Sequence, residues 1–164
     1  MRRDMVFPVA HEPICNGVYQ SRNNEIIWLP VSIPGLPETI DTEGHTLLRR
    51  PEFHVSLVCT NRIQERHKVA SESFAEEIAR AFCVYVEQHP IVFVNFKDEF
   101  RFVSLDEQKA LVVMAEVSNL HRFFDDINGR YSLNVEYPPT HVTLYTLDGE
   151  PGIFLIDSDD IKNR

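Results

Sequence analysis

Hydrophobic and polar positions alternate along several short stretches of the chain and recur every three or four residues along two longer ones. Glu25 to Ser32 (EIIWLPVS) and Phe53 to Thr60 (FHVSLVCT) are rich in β-branched, aliphatic and aromatic residues, which predicts strands. From Arg62 to Gln88 the apolar residues Ile63, Val69, Phe74, Ile78, Ala81, Phe82 and Tyr85 fall on one side of a helical wheel. The spacing predicts one long helix there, stopped by His89-Pro90. Three strands follow, Ile91 to Phe96, Phe100 to Ser104 and Ala110 to Val117, separated by the charged turns Lys97-Asp98-Glu99 and Asp106-Glu107-Gln108. Ser118 to Asn128 reads as a second helix, capped by Ser118 or Asn119, with Gly129 just beyond its end. Pro138 and Pro139 lead into a strand from Thr140 to Leu147, and Ile153 to Ile156 reads as a last short strand.

Two regions lack a pattern. Residues 1–24 are irregular, interrupted by Pro8, Pro13, Gly17 and Asn23-Asn24. Residues 34–52, with Pro34, Pro37, Gly44 and Pro51, form a loop long enough to fold over a site as a lid, with His45 near its middle. Strands and helices without strict β-α alternation give the α+β class. The 164 residues suit a single domain, with an acidic tail at 157–164.

Charge narrows the function. The net charge of −9 disfavours a protein that grips long duplex nucleic acid, which needs a field of Lys and Arg. Six glycines, none spaced as a phosphate loop, exclude the common nucleotide-binding fingerprints. Cys15, Cys59 and Cys83 are scattered and odd in number, which reads as reduced thiols rather than a disulfide framework. Without a signal-peptide pattern or an apolar run near the ~18 residues that span a bilayer, the expectation is a cytoplasmic protein with no membrane partner. Neither H-E-x-x-H nor a Cys/His cluster occurs, so no metal and no cofactor are expected.

The candidate chemistry lies in two strands that share a pattern. Phe53-His54-Val55-Ser56-Leu57 and Thr140-His141-Val142-Thr143-Leu144 both contain H-V-[S/T]-L. Composition alone gives an expectation of about 0.02 for such a match, so two are improbable by chance, the alternative being two half-buried strand histidines bonded to neighbouring hydroxyls. Side chains alternate along a strand, so His54 shares a face with Ser56 and His141 with Thr143, each pair roughly 7 Å apart. Two imidazoles that titrate near neutrality can serve as base and acid, and the hydroxyls beside them can donate to phosphoryl oxygens. Such a set can cleave a phosphodiester without a metal.

Paired H-x-[S/T] motifs on strands, one in each half of a small chain, resemble the two-histidine (2H) phosphoesterase superfamily. That group includes 2′,3′-cyclic phosphodiesterases and 2′-5′ RNA ligase-like proteins. The order of strand, first motif, long helix, strands, second helix and second motif is also similar. The resemblance implies a bilobal, pseudo-two-fold α+β fold with antiparallel sheets, flanking helices and a central groove. It makes His54 and His141 the acid–base pair and Ser56 and Thr143 the phosphate donors, with the two histidine roles left open. The implied substrate is a small nucleotide or short RNA end, cut at a cyclic phosphate or a 2′-5′/3′-5′ diester. The alternative is a nucleotide- or RNA-binding module that keeps the fold without catalysis. Many RNA ligase-like members carry an Arg closely following the second motif, where this chain reads Tyr145-Thr146-Leu147.

Other residues could extend the site. Tyr145, two positions past Thr143, would face the same side and could stack on a base, or else pack in the core. Arg49 and Arg50 could clamp a phosphate or lie as solvated charge. Trp28 could belong to the core or to the groove wall, and Tyr131 and Tyr137, which flank the approach to the second motif, could line a pocket or pack in loops.

Overall fold

The computed structural model describes residues 12–105 and 108–147. They form an α+β domain with one nine-stranded antiparallel sheet and three helices. The expected 153–156 strand and the acidic tail lie outside the described residues.

The sheet opens with a segment expected to be irregular. Strands β1 (Glu12–Ile14) and β2 (Tyr19–Arg22) form a hairpin, and β2 continues into β3 (Ile26–Val31) through Asn23-Asn24. Both asparagines have positive φ, at 53° and 60°, as a two-residue turn matched to strand twist requires. The supposed loop 34–52 contains another hairpin, β4 (Thr39–Thr42) and β5 (His45–Arg49). Its turn, Glu43-Gly44, has φ of 50° and 78°, and Glu-Gly is a weaker hairpin signal than Asn-Gly. The loop expectation is therefore corrected: much of this segment is a hairpin of the sheet.

The first motif strand, β6 (Phe53–Val58), follows β5 after a break that contains Pro51. The expected long helix is two. Helix α1 (Thr60–Arg66) ends at His67, and α2 (Phe74–Gln88) begins after a turn in which Lys68 has φ 54°. Ser71 and Ser73 hydrogen-bond to each other and to the local backbone in that turn, competing with a continuous helix. The long strand β7 (Phe93–Leu105) pairs with β8 (Gln108–Val117) through two register irregularities, merging two of the expected strands.

Helix α3 (Leu120–Tyr131) runs through Gly129 and ends at Ser132, whose φ is 56°. Asn119 does precede it but does not cap it. It adopts a left-handed conformation, and its side chain donates to the Pro90 carbonyl (2.8 Å), so it ties the start of α3 to the end of α2. The second motif strand is β9 (His141–Thr146).

Strand β9 organises the sheet. One edge pairs with β8, while the other pairs with β6 near its start and with β5 near its end. The three helices cover one face. Ile63, Phe74, Ile78, Phe82, Leu120, Phe123 and Ile127 from the helices join Ile27, Leu29, Val55, Leu57, Val113 and Val142 from the strands in the main core. A smaller cluster of Val103, Ala110, Val112 and Met114 is buried on the opposite face.

A disulfide joins Cys15 and Cys83, which the chain separates by 68 positions. It ties the β1–β2 turn to α2 and corrects the expectation of three reduced thiols; Cys59 is buried and free of disulfide. The thiol-based case for a cytoplasmic location falls with it, since such bridges persist in oxidising compartments. No helix among the described residues is long and apolar enough to cross a membrane.

Candidate active site

The two motifs meet through one backbone pairing. Val55 on β6 stands opposite Val142 on β9, antiparallel, and both side chains are fully buried in the main core. Counting outward from that pair sets His54 across from Thr143 and Ser56 across from His141. All four project to the face opposite Val55 and Val142. A local two-fold axis through the Val55–Val142 pair exchanges His54 with His141 and Ser56 with Thr143. The repeated H-V-[S/T]-L pattern is thus expressed as symmetry. Each imidazole stands beside the other motif's hydroxyl, and the histidines occupy diagonal corners, about 7–8 Å apart and somewhat less at Cβ.

Neighbouring strands supply the walls. On β3, Trp28 pairs with Ser56 and Pro30 with His54. The Trp28 indole lies 5.4 Å from the His54 ring, centroid to centroid, which places it on the histidine face rather than in the core. On the other flank, Met114 pairs with His141 and Val112 with Thr143. His54, Ser56, Thr143 and Trp28 are half-buried, whereas His141 is only 6 % exposed.

The buried imidazole is oriented by the backbone. His141 Nδ1 lies 2.9 Å from the Pro139 carbonyl oxygen. A carbonyl only accepts, so Nδ1 carries the proton, and this bond fixes the orientation of the ring. The Pro138-Pro139 approach to the strand positions that carbonyl, and Thr140 locks the approach by donating from Oγ1 to Ala115 O at 2.6 Å. Among the described residues, no three His, Cys, Asp or Glu side chains gather as a metal site.

Tyr145 does not join this face. Between Leu111 and Val112 the β8–β9 register slips, with Val112 opposite Thr143 and Leu111 opposite Tyr145. Leu144 is the extra residue of a β-bulge, and a bulge resets the alternation beyond it. Tyr145 therefore turns into the main core, 2 % exposed, and its hydroxyl donates to the Pro37 carbonyl at 2.7 Å. Base stacking by Tyr145 is thereby corrected to core packing.

Arg49 is corrected for a related reason. It pairs with Tyr145 across β5 and β9, so it leaves the sheet on the side away from the histidines. Its Nη1 donates to the Leu36 carbonyl at 2.5 Å and pins the loop before β4. Arg50 is half-buried, and its backbone N–H bonds to Leu144 O (2.9 Å). Arg50 follows the last residue of β5, so of the two arginines only Arg50 stays a candidate.

Two of the remaining aromatic candidates lie with the helices, and His45 is on β5. His45 stacks on Phe102 at 6.1 Å, and Phe102 packs against the main core. Tyr131 belongs to α3 and donates to Glu77 on α2 at 2.7 Å. Ser73 and then Tyr131, by hydrogen bonding, hold the Glu77 carboxyl below its ordinary value. Tyr137 packs on His121 and Phe124, and burial raises its phenol above the ordinary range.

The Pro139 carbonyl and Met114 escaped the sequence reading. The first had a signal, since a proline pair fixes the backbone two residues before the histidine. The second had none, because the face it takes depends on which strands pair. No protein-family model, curated protein or solved structure matches this chain.

Proposed function

We propose that this protein is a metal-independent phosphoesterase that hydrolyses a cyclic phosphate or a 2′-5′/3′-5′ phosphodiester of a small nucleotide or RNA end. The observation that carries this reading is the Val55–Val142 register, which sets two histidines and two hydroxyls on one sheet face in a two-fold arrangement. The resemblance to the two-histidine phosphoesterase superfamily is compatible with it. On that reading each motif belongs to one of two pseudo-symmetric lobes, one containing β3, β6 and α2 and the other β8, α3 and β9.

In the proposed reaction a phosphodiester lies across the diagonal between the imidazoles. One histidine accepts a proton from water as the water oxygen bonds to phosphorus. The bond from phosphorus to the departing sugar oxygen breaks, and that oxygen takes a proton from the other, protonated histidine. One water is consumed per diester, and the histidines exchange protonation states, which solvent resets. Ser56 and Thr143 donate to the non-bridging oxygens, where charge grows. The net charge of −9 favours a small nucleotide over extended RNA.

The test is turnover of nucleoside 2′,3′-cyclic phosphates and 2′-5′-linked dinucleotides by the full chain. His54→Ala and His141→Ala should each lower kcat by about 10²–10⁴-fold with an unchanged circular dichroism spectrum. Wild-type kcat/KM should follow a bell-shaped pH profile and should survive EDTA. Full activity in either alanine variant discards the reading, and a binding-only module would hold these nucleotides without product.

A further inference from the structure

The histidine face extends past the motif strands. Thr143, across from His54, pairs with Val112 on β8, and Val112 pairs with Arg101 on β7. Paired residues of antiparallel neighbours project to the same side, so His54, Thr143, Val112 and Arg101 form one row across four strands. The alternation on β7 agrees. Val103, two residues beyond Arg101, is buried on this face with Ala110, Val112 and Met114.

The guanidinium is held but not satisfied. Its Nη2 bonds to Glu99 Oε2 at 2.6 Å, and the side chain is 38 % exposed, so one end reaches solvent. Its Nε is buried with no hydrogen-bond partner. A buried donor left unpaired is costly, and the planar fork of a guanidinium suits paired hydrogen bonds to the oxygens of an anion such as a phosphoryl group. Arg101 stands two strand spacings from Thr143, about 10 Å, with Val112 between them. That separation puts it beyond a phosphate lying between the histidines but within reach of the next phosphate along a nucleotide.

We propose that Arg101 binds a second phosphate of the substrate, so that this site selects nucleotides bearing two phosphoryl groups on one sugar or on adjacent sugars. The proposal rests on the phosphoesterase reading for the position of the first phosphate. Glu99 orients the guanidinium and offsets its charge, which keeps the subsite weak enough to release product. Arg101 is a specificity-determining residue here and takes no part in proton transfer.

Calorimetric titration of the full chain with adenosine 3′,5′-bisphosphate and with adenosine 3′-monophosphate tests this without relying on turnover. Wild type should bind the bisphosphate about tenfold or more tightly than the monophosphate. Arg101→Met should erase that preference and leave monophosphate affinity unchanged. Arg101→Lys should restore part of it, and Glu99→Gln should increase it by freeing the guanidinium. Equal affinities in the wild type overturn the proposal, as does a preference that survives in Arg101→Met or an equal loss for both ligands. The phosphoesterase reading fails separately, on turnover by the His54 and His141 variants.

Discussion

The two faces of β6 and β9 differ sharply although they come from the same twelve residues. Toward the helices, Val55, Leu57, Val142 and Leu144 are buried in the main core. Away from the helices, His54, Ser56 and Thr143 stay half-buried, with Trp28 leaning on His54. Strand alternation assigns the aliphatic side chains to one face and the histidines and hydroxyls to the other, and a single pairing sets both. Substitutions on the two faces should therefore separate activity from stability.

The largest effect is expected on the histidine face, where His54→Ala or His141→Ala should remove about 10²–10⁴-fold of turnover; thermal unfolding should barely move for half-buried His54, and fall modestly for buried His141, which loses its bond to the Pro139 carbonyl. A matched change in the core that packs against the covered face, on helix α2, should do the reverse. Phe82 is fully buried, with its ring edge-on to Tyr19 at 5.0 Å and Phe123 at 5.3 Å. Phe82→Ala should cost about 3–5 kcal/mol in denaturant unfolding, with kcat preserved wherever the variant stays folded. A cost below 1 kcal/mol would mean that the helices do not close the core as described.

Next in size is the tie between the first hairpin and α2. Reduction, or Cys83→Ser, should lower stability by about 2–4 kcal/mol and leave KM unchanged. A free-thiol assay on the unfolded, unreduced protein checks the bridge directly: one reactive cysteine is expected, and three would remove it. The smallest effect concerns Tyr145, whose hydroxyl is bound to the Pro37 carbonyl. Tyr145→Phe should cost about 0.5–1.5 kcal/mol with no change in nucleotide affinity. Weaker nucleotide binding would return Tyr145 to the histidine face.

Local chemistry made much of the fold legible. β6, β8, β9 and α3 follow from periodicity, because a half-buried strand and an amphipathic helix each write their period into the sequence. The break between α1 and α2 was hidden, since Ile63 and Val69 keep a near-helical spacing across a turn in which Lys68 is left-handed. The β4–β5 hairpin was hidden because its prolines flank a segment whose strand character depends on pairing with β9.

For the site, the sequence by itself determined the four motif residues and the common face within each motif, because alternation along a strand is a local property. Only the tertiary structure decided that the two motifs are direct neighbours, that Trp28 and Arg101 share their face, and that Cys15 meets Cys83. Those outcomes depend on strand order and register, which are set by burying the aliphatic face of the whole sheet under three helices. Tyr145 marks the boundary between the two kinds of information. Unbroken alternation would have sent it to the histidines, and one bulge at Leu144, formed against β8, turned it into the core.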